Sequence, residues 1–208
     1  MKARATALRH EEMEEITNYH MLCLQNAPTA APIIAAMHSP AATRFYLFLL
    51  RYNYRDHAEA LEPLLSPSAR NAALEAAARY HRPRLFHLLL IPLRDNPPPT
   101  ILPLAISYHS TSALDILLRY ATISLTTAHP NGLNCVHLLI NHQLYHYLRH
   151  FYHLKDLWLQ PWPHSSPQPT YSSLPNYSPL DHLRLLYRTT PIYRHILLKI
   201  NEIWHAKP

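Results

Sequence analysis

One pattern is written four times along this chain. An apolar anchor is followed at three and four positions by small or aliphatic residues, and about a dozen positions on by a leucine-rich or aromatic end. The anchors are Leu74, Leu102, Val136 and Leu180, and the pairs that follow are Ala77-Ala78, Ala105-Ile106, Leu139-Ile140 and Leu183-Arg184. The ends are Leu88-Leu89-Leu90, Ile116-Leu117-Leu118, Phe151-Tyr152 and, two residues late, Ile196-Leu197-Leu198. A helix, a tight turn and a second helix per period describe a solenoid, because no single pair of short helices can bury its own apolar face. Stacked hairpins present a long surface rather than one enclosed pocket.

The anchors are unevenly spaced, and the interval from Val136 to Leu180 is the longest. The first full period is the clearest. Residues 71–80 are alanine-rich and helix-favouring, His81-Arg82-Pro83 interrupts them, and Pro83 suits the first turn of a second helix over 84–91, where its missing N–H costs nothing. Pro97-Pro98-Pro99 closes that unit, and 124–131 separates the next two. The long last interval is ascribed to a Pro/Ser-rich insertion, expected as a partly mobile surface loop. Before the array, 8–24 reads as a helix ended by Pro28 and Pro32, and 33–52 as a degenerate hairpin with Ala36-Met37 and Leu47-Phe48-Leu49 in the pattern positions. The stretch 53–68 fits a loop or one extra short helix. No alternation long enough to require a sheet is present.

Glycine limits the chemistry. The chain has one among its 208 residues, Gly132, so phosphate-binding loops and dinucleotide fingerprints that need several are excluded. The net charge is +6, but the arginines are scattered, and the densest group is Arg79, Arg82 and Arg84. That distribution describes a solvated basic surface better than a nucleic-acid tract. Two cysteines, Cys23 and Cys135, are too few for a disulfide framework and fit a reducing, intracellular compartment, cytoplasmic or nuclear. Neither a signal peptide nor a membrane span is expected.

Residues 131–137, Asn-Gly-Leu-Asn-Cys-Val-His, resemble the turn signature of the ankyrin repeat family, and Ser178-Pro179-Leu180-Asp181 resembles its Thr-Pro-Leu-His tetrapeptide. Residues 74–90 resemble the body of that repeat at the anchor, the two alanines and the three leucines, and 101–118 do so as well. No unit carries the family's glycine between its two helices. The resemblance implies an all-α, ankyrin-like solenoid of four to five stacked helix–turn–helix units. Residues 1–28 would then be an N-terminal helix, 29–55 a degenerate first unit and 56–208 the array, with the loop at 160–177. It implies a non-enzymatic protein–protein interaction module binding another protein on its concave face. In the family the residues just after the paired small ones line that face. Carried over, these are Arg79, Tyr80, Ser107, Tyr108, Asn141 and His142, while Leu185 and Leu186 fill those places in a last unit that is covered or caps the array. His137 resembles the signature histidine, whose role is hydrogen bonding around the turns.

Other chemistries are weaker. His142, His146 and His150 are four apart, as helical zinc ligands can be, but the period puts a turn between the first and the others. Cys135 and His137 lie close in sequence, yet a nucleophile–base pair is a matter of geometry. No catalytic residue, cofactor, metal or small-molecule substrate is expected, and nucleic-acid binding is disfavoured. The competing role is an adaptor that recruits other machinery through its N-terminal helix.

Overall fold

Prolines set many of the helix starts, because a ring that fixes φ near its helical value and lacks an N–H fits the first helical turn without loss. The computed structural model describes residues 18–19, 21, 23, 39–162, 177–186 and 190–205. Among them lie α1 (Ser39–Tyr52), α2 (Arg55–Leu61), α3 (Pro67–Arg79), α4 (Pro83–Leu90), α5 (Ile101–Ser107) and α6 (Thr111–Tyr120). They continue with α7 (Cys135–Asn141), α8 (Lys155–Leu159), α9 (Pro179–Leu186) and α10 (Pro191–His205). Short 3-10 turns occupy Glu62–Leu64, Ile91–Leu93 and Tyr145–His150. Pro67, Pro83, Pro179 and Pro191 each open their helix. The described residues are all-α, with none in a strand, and no described helix is long and apolar enough to cross a membrane.

The chain divides into two compact units, one through Arg94 and one from Asp95. In the first, α1 packs on α2 and α3, while α4 packs on α3 and α2. Two hairpins therefore lie side by side, first helix on first and second on second. Leu49, Leu50, Leu74, Ala77, Ala78, Phe86 and Leu89 are fully enclosed between them. Tyr19 closes one end, its ring edge-on to Phe45 at 4.9 Å. In the second unit α5 packs on α6 and α7, and α7 packs on α8, α9 and the 3-10 turn Tyr145–His150. There α9 and α10 form the last hairpin, and α10 also meets that 3-10 turn. Leu102, Ala105, Leu117, Val136, Leu148, Phe151 and Trp158 form its interior, with the Trp158 Nε1–H donating to the Phe151 carbonyl at 2.9 Å.

Four hairpins turn in the same way. Asn53, His81, His109 and Gln143 have φ of 62°, 54°, 53° and 57°, in the left-handed region, one at each turn. The next residue's N–H reaches back five positions in every case: Tyr54 to Leu49 (3.0 Å), Arg82 to Ala77 (2.8 Å), Ser110 to Ala105 (3.0 Å) and Leu144 to Leu139 (2.8 Å). His81, His109 and Gln143 themselves donate three positions back, to Ala78, Ile106 and Ile140. This is the Schellman closure of a helix C-terminus. The small or aliphatic pairs legible in the sequence thus supply the carbonyls that close three of these turns, at His81, His109 and Gln143.

A left-handed conformation is uphill for residues with a Cβ, less so for asparagine. His81→Gly is therefore expected to leave the fold at least as stable as the parent. His81→Val should cost about 1–2 kcal/mol, because the left-handed region that histidine tolerates is a genuine outlier for a β-branched side chain. Urea unfolding of the two variants checks this ordering.

Three expectations are corrected. Residues 39–52 form one continuous helix, the turn follows at Asn53 and the second helix of that hairpin is α2, so the described hairpin runs past 52; Ile33 and Ala36-Met37 lie outside the described residues. The closing carbonyl comes from Leu49, at the end of the pattern read from Ile33 rather than near its start. The second element of the fourth hairpin is a 3-10 turn rather than an α-helix. A further helix, α8, precedes the insertion and shares the lengthening of the last interval. Residues 163–176 of that insertion, and most of the N-terminal segment, lie outside the described residues.

Candidate functional site

Each Schellman turn leaves its last helical residue and its C-cap at the hairpin's end, one before the left-handed residue. These positions are Arg79-Tyr80, Ser107-Tyr108 and Asn141-His142, the six residues carried over by resemblance. Arg79 and Asn141 are exposed, and Tyr80, Ser107, Tyr108 and His142 are half-buried. Within the first unit the Arg79 guanidinium lies over the Tyr80 ring, 6.0 Å from its centre. Arg51 and Tyr52 occupy the same place in the first hairpin, both exposed, with the guanidinium 5.6 Å from the ring centre. They were missed in sequence because that hairpin was read in the wrong register. A partial signal was present: Arg-Tyr occurs at 51–52, 79–80 and 119–120, and the first two are followed by a left-handed residue, whereas Ala121 after the third is extended.

Consecutive turns are tied together. Arg82, just after the left-handed His81, donates from Nε to the Leu50 carbonyl (2.9 Å) and from Nη2 to the Arg51 carbonyl (3.1 Å). That caps carbonyls at the C-terminus of α1 with a cation, where charge and helix dipole agree. In the second unit His142 Nδ1 lies 2.5 Å from His109 Nε2, the rings edge to face. Tyr147 adds a second tie, its hydroxyl donating to the Thr111 carbonyl (3.1 Å) and the Asp115 carboxylate (2.9 Å).

Ser107, Asn141 and His142 are brought together in the second unit. They line a cleft of about 670 Å³, walled also by His129, Asn131, Gln143, Tyr145, His182 and Tyr193 over a floor of Leu133, Leu138 and Ile140. Tyr108 is not among its walls. None of the lining residues is Asp, Glu, Lys or Arg. The Tyr145 and Tyr193 hydroxyls are hydrogen-bonded at 2.7 Å, and burial followed by that bond raises the Tyr145 phenol. Desolvation first, then the neighbouring His109 and His129, lowers the His142 imidazole below its usual value. Burial lowers His182 too, and its Nδ1 meets the Tyr177 hydroxyl at 3.2 Å.

Behind the cleft the turn before α7 is held by a reciprocal cap. The Asn134 side chain accepts the His137 N–H (2.9 Å), and His137 Nδ1 accepts the Asn134 N–H (3.2 Å). His137 Nε2 then donates to the Gln160 carbonyl at 3.0 Å. With one nitrogen accepting and the other donating, the ring is held neutral, and burial depresses it to about 4. Ser178 and Asp181 repeat the device before α9: the Ser178 N–H and Oγ–H donate to Oδ2 at 3.1 and 2.7 Å, and the Asp181 N–H returns to Oγ at 3.4 Å. Gly132, with φ of 84°, makes the tight turn that feeds α7.

The reactive-looking groups are occupied. Burial pushes the Cys135 thiol up to about 12 and Cys23 to about 11, and Cys135 donates to the Thr127 carbonyl. A thiol held that high carries almost no thiolate. His142 caps α7 while His146 and His150 lie in the following 3-10 turn, so the row of three is broken. Among the described residues no three His, Cys, Asp or Glu side chains gather as a metal ligand set. Comparison with family models, curated proteins and solved structures returned no match to this chain.

Proposed function

We propose that the chain is a non-enzymatic protein-recognition module, an ankyrin-like solenoid of helical hairpins that binds a segment of another protein through its turn-proximal residues. The observation that carries this reading is the shared register of the four left-handed turns. It sets Arg51-Tyr52 and Arg79-Tyr80 at equivalent places in one unit, and Ser107-Tyr108 and Asn141-His142 in the other. Preformed hairpins held by backbone closure present these side chains with little ordering cost on association. Arginine and tyrosine combine contact area with directed polar groups, which makes them frequent interface anchors. The buried thiols and the neutral, doubly bonded His137 support a binding role over a catalytic one.

The test uses the full chain and whichever partner it captures by proximity labelling in the cells that produce it. Tyr80→Ala and Tyr108→Ala are expected to weaken binding by about tenfold or more, near the ~1.4 kcal/mol scale of an interface anchor, while shifting the unfolding midpoint little. Loss of stability in step with loss of binding would make them packing residues and contradict the assignment.

A further inference from the structure

The cleft of the second unit is lined by imidazoles, amides and phenols without a fixed charge of either sign. Two of its features point to one ligand chemistry. His109 and His142 are close enough to share a proton: one nitrogen must hold the hydrogen and the other a lone pair. The pair therefore binds two protons when neutral and three when charged, and never four without breaking the contact. His129 accepts the Asn131 N–H at Nδ1 (3.3 Å).

The Asn131 side-chain oxygen accepts the Leu133 N–H at 3.1 Å, which leaves its amide group as a donor at the rim. Asn141 and Gln143 add two more amides, and Leu138 and Ile140 offer an apolar floor for methylenes. Donors, protonatable bases and no competing carboxylate suit a ligand that brings its own negative charge. The chain's net charge of +6 steers such a ligand inward.

We propose that this cleft takes an acidic segment of a protein partner, a glutamate or aspartate side chain entering beside His142, and that one proton from the solvent is bound by the His109–His142 pair as it does so. The inference rests on the recognition reading above. His142 meets His109 after α5, and shares the cleft with His129 ahead of α7, Tyr145 from the 3-10 turn, His182 on α9 and Tyr193 on α10. Helix α8 also packs on α7, and its Lys155 and Asp156 do not line the cleft. With His142 held below its usual value by desolvation, the entering carboxylate supplies the opposite charge that favours the imidazolium. Affinity then rises as pH falls, by up to about tenfold per unit for one linked proton.

The experiment is calorimetry of the full chain with a hexaglutamate peptide and its hexaglutamine counterpart, at fixed ionic strength and pH 6.5, in two buffers of different ionisation heat. The expected result is binding of hexaglutamate alone with uptake of about one proton. His109→Asn and His142→Gln should abolish the uptake and weaken binding by about tenfold. Asparagine already holds the equivalent left-handed turn at position 53, so the first variant keeps the fold. Should either variant unfold, imidazole NMR of the parent replaces it: hexaglutamate must move the His109 and His142 resonances. Binding without proton uptake, or unchanged in folded variants, would place the peptide elsewhere on the basic surface and overturn the proposal. Equal binding of hexaglutamine would overturn the acidic specificity while leaving peptide recognition standing, and binding of neither peptide would overturn the proposal outright.

Discussion

Leu117→Ala is expected to destabilise the second unit by about 2–5 kcal/mol, and Leu89→Ala the first by a similar amount. Both side chains are completely buried, each on the second helix of its hairpin at the leucine-rich end of the pattern. The loss combines lost burial, about 1.5–3 kcal/mol for a leucine, with the cavity left behind. Leu198 provides the control, since half of its surface is exposed on α10. Leu198→Ala should stay within about 0.5 kcal/mol of the parent, the usual range at surface sites. Urea unfolding followed by circular dichroism orders the three. Equal effects at Leu117 and Leu198, which itself belongs to the last leucine-rich end, would mean that burial does not decide the loss.

Acid is the second strong perturbation. His137 is neutral and enclosed, with its titration depressed from 6.5 to about 4. The unfolded chain takes up a proton near 6.5 that the folded chain refuses until about 4. Stability is therefore full above pH 6.5, falls as pH drops between 6.5 and 4, and changes no further from this source below 4. Between pH 7 and 4.5 the expected loss from His137 is about 2–3 kcal/mol. Burial lowers His142 and His182 as well, which adds to the loss in the same direction. His137→Gln should be less stable at pH 7, having lost the bond pattern around Asn134, yet show a flatter profile on acidification. Unfolding free energies of the two proteins at pH 7, 5.5 and 4.5 decide it, and parallel profiles would show that His137 is not the titrating group.

The helical period was legible wherever local signals agreed. Around α3 and α4, alanine propensity, the break at His81-Arg82 and the proline at 83 all point one way, and the helices end within a few residues of those expected. The hairpin over 39–61 is not the one expected over 33–52, since the chain closes on Leu49 with Asn53 in the left-handed region. A glycine in that turn would have marked it plainly; Asn53 marks it weakly, since asparagine tolerates the left-handed region, and the histidines and glutamine of the other turns carry less signal still. The 3-10 turn at Tyr145–His150 shares its apolar spacing with a helix, so periodicity alone could not separate them. The cleft escaped the sequence for a different reason. His129, His182 and Tyr193 reach it from separate elements and belong to no motif.

The proposal that the hairpins are interchangeable units is tested most directly by removing one. Excising residues 54–81, the whole stretch from one left-handed turn through the next, joins α1 through Asn53 to Arg82 and α4. Interchangeable hairpins predict a shortened chain with the parent's helicity per residue and a thermal unfolding transition, measured by circular dichroism, because each hairpin leans on its neighbours and not on a common centre. A shortened chain with no helical signal and no transition would contradict that proposal.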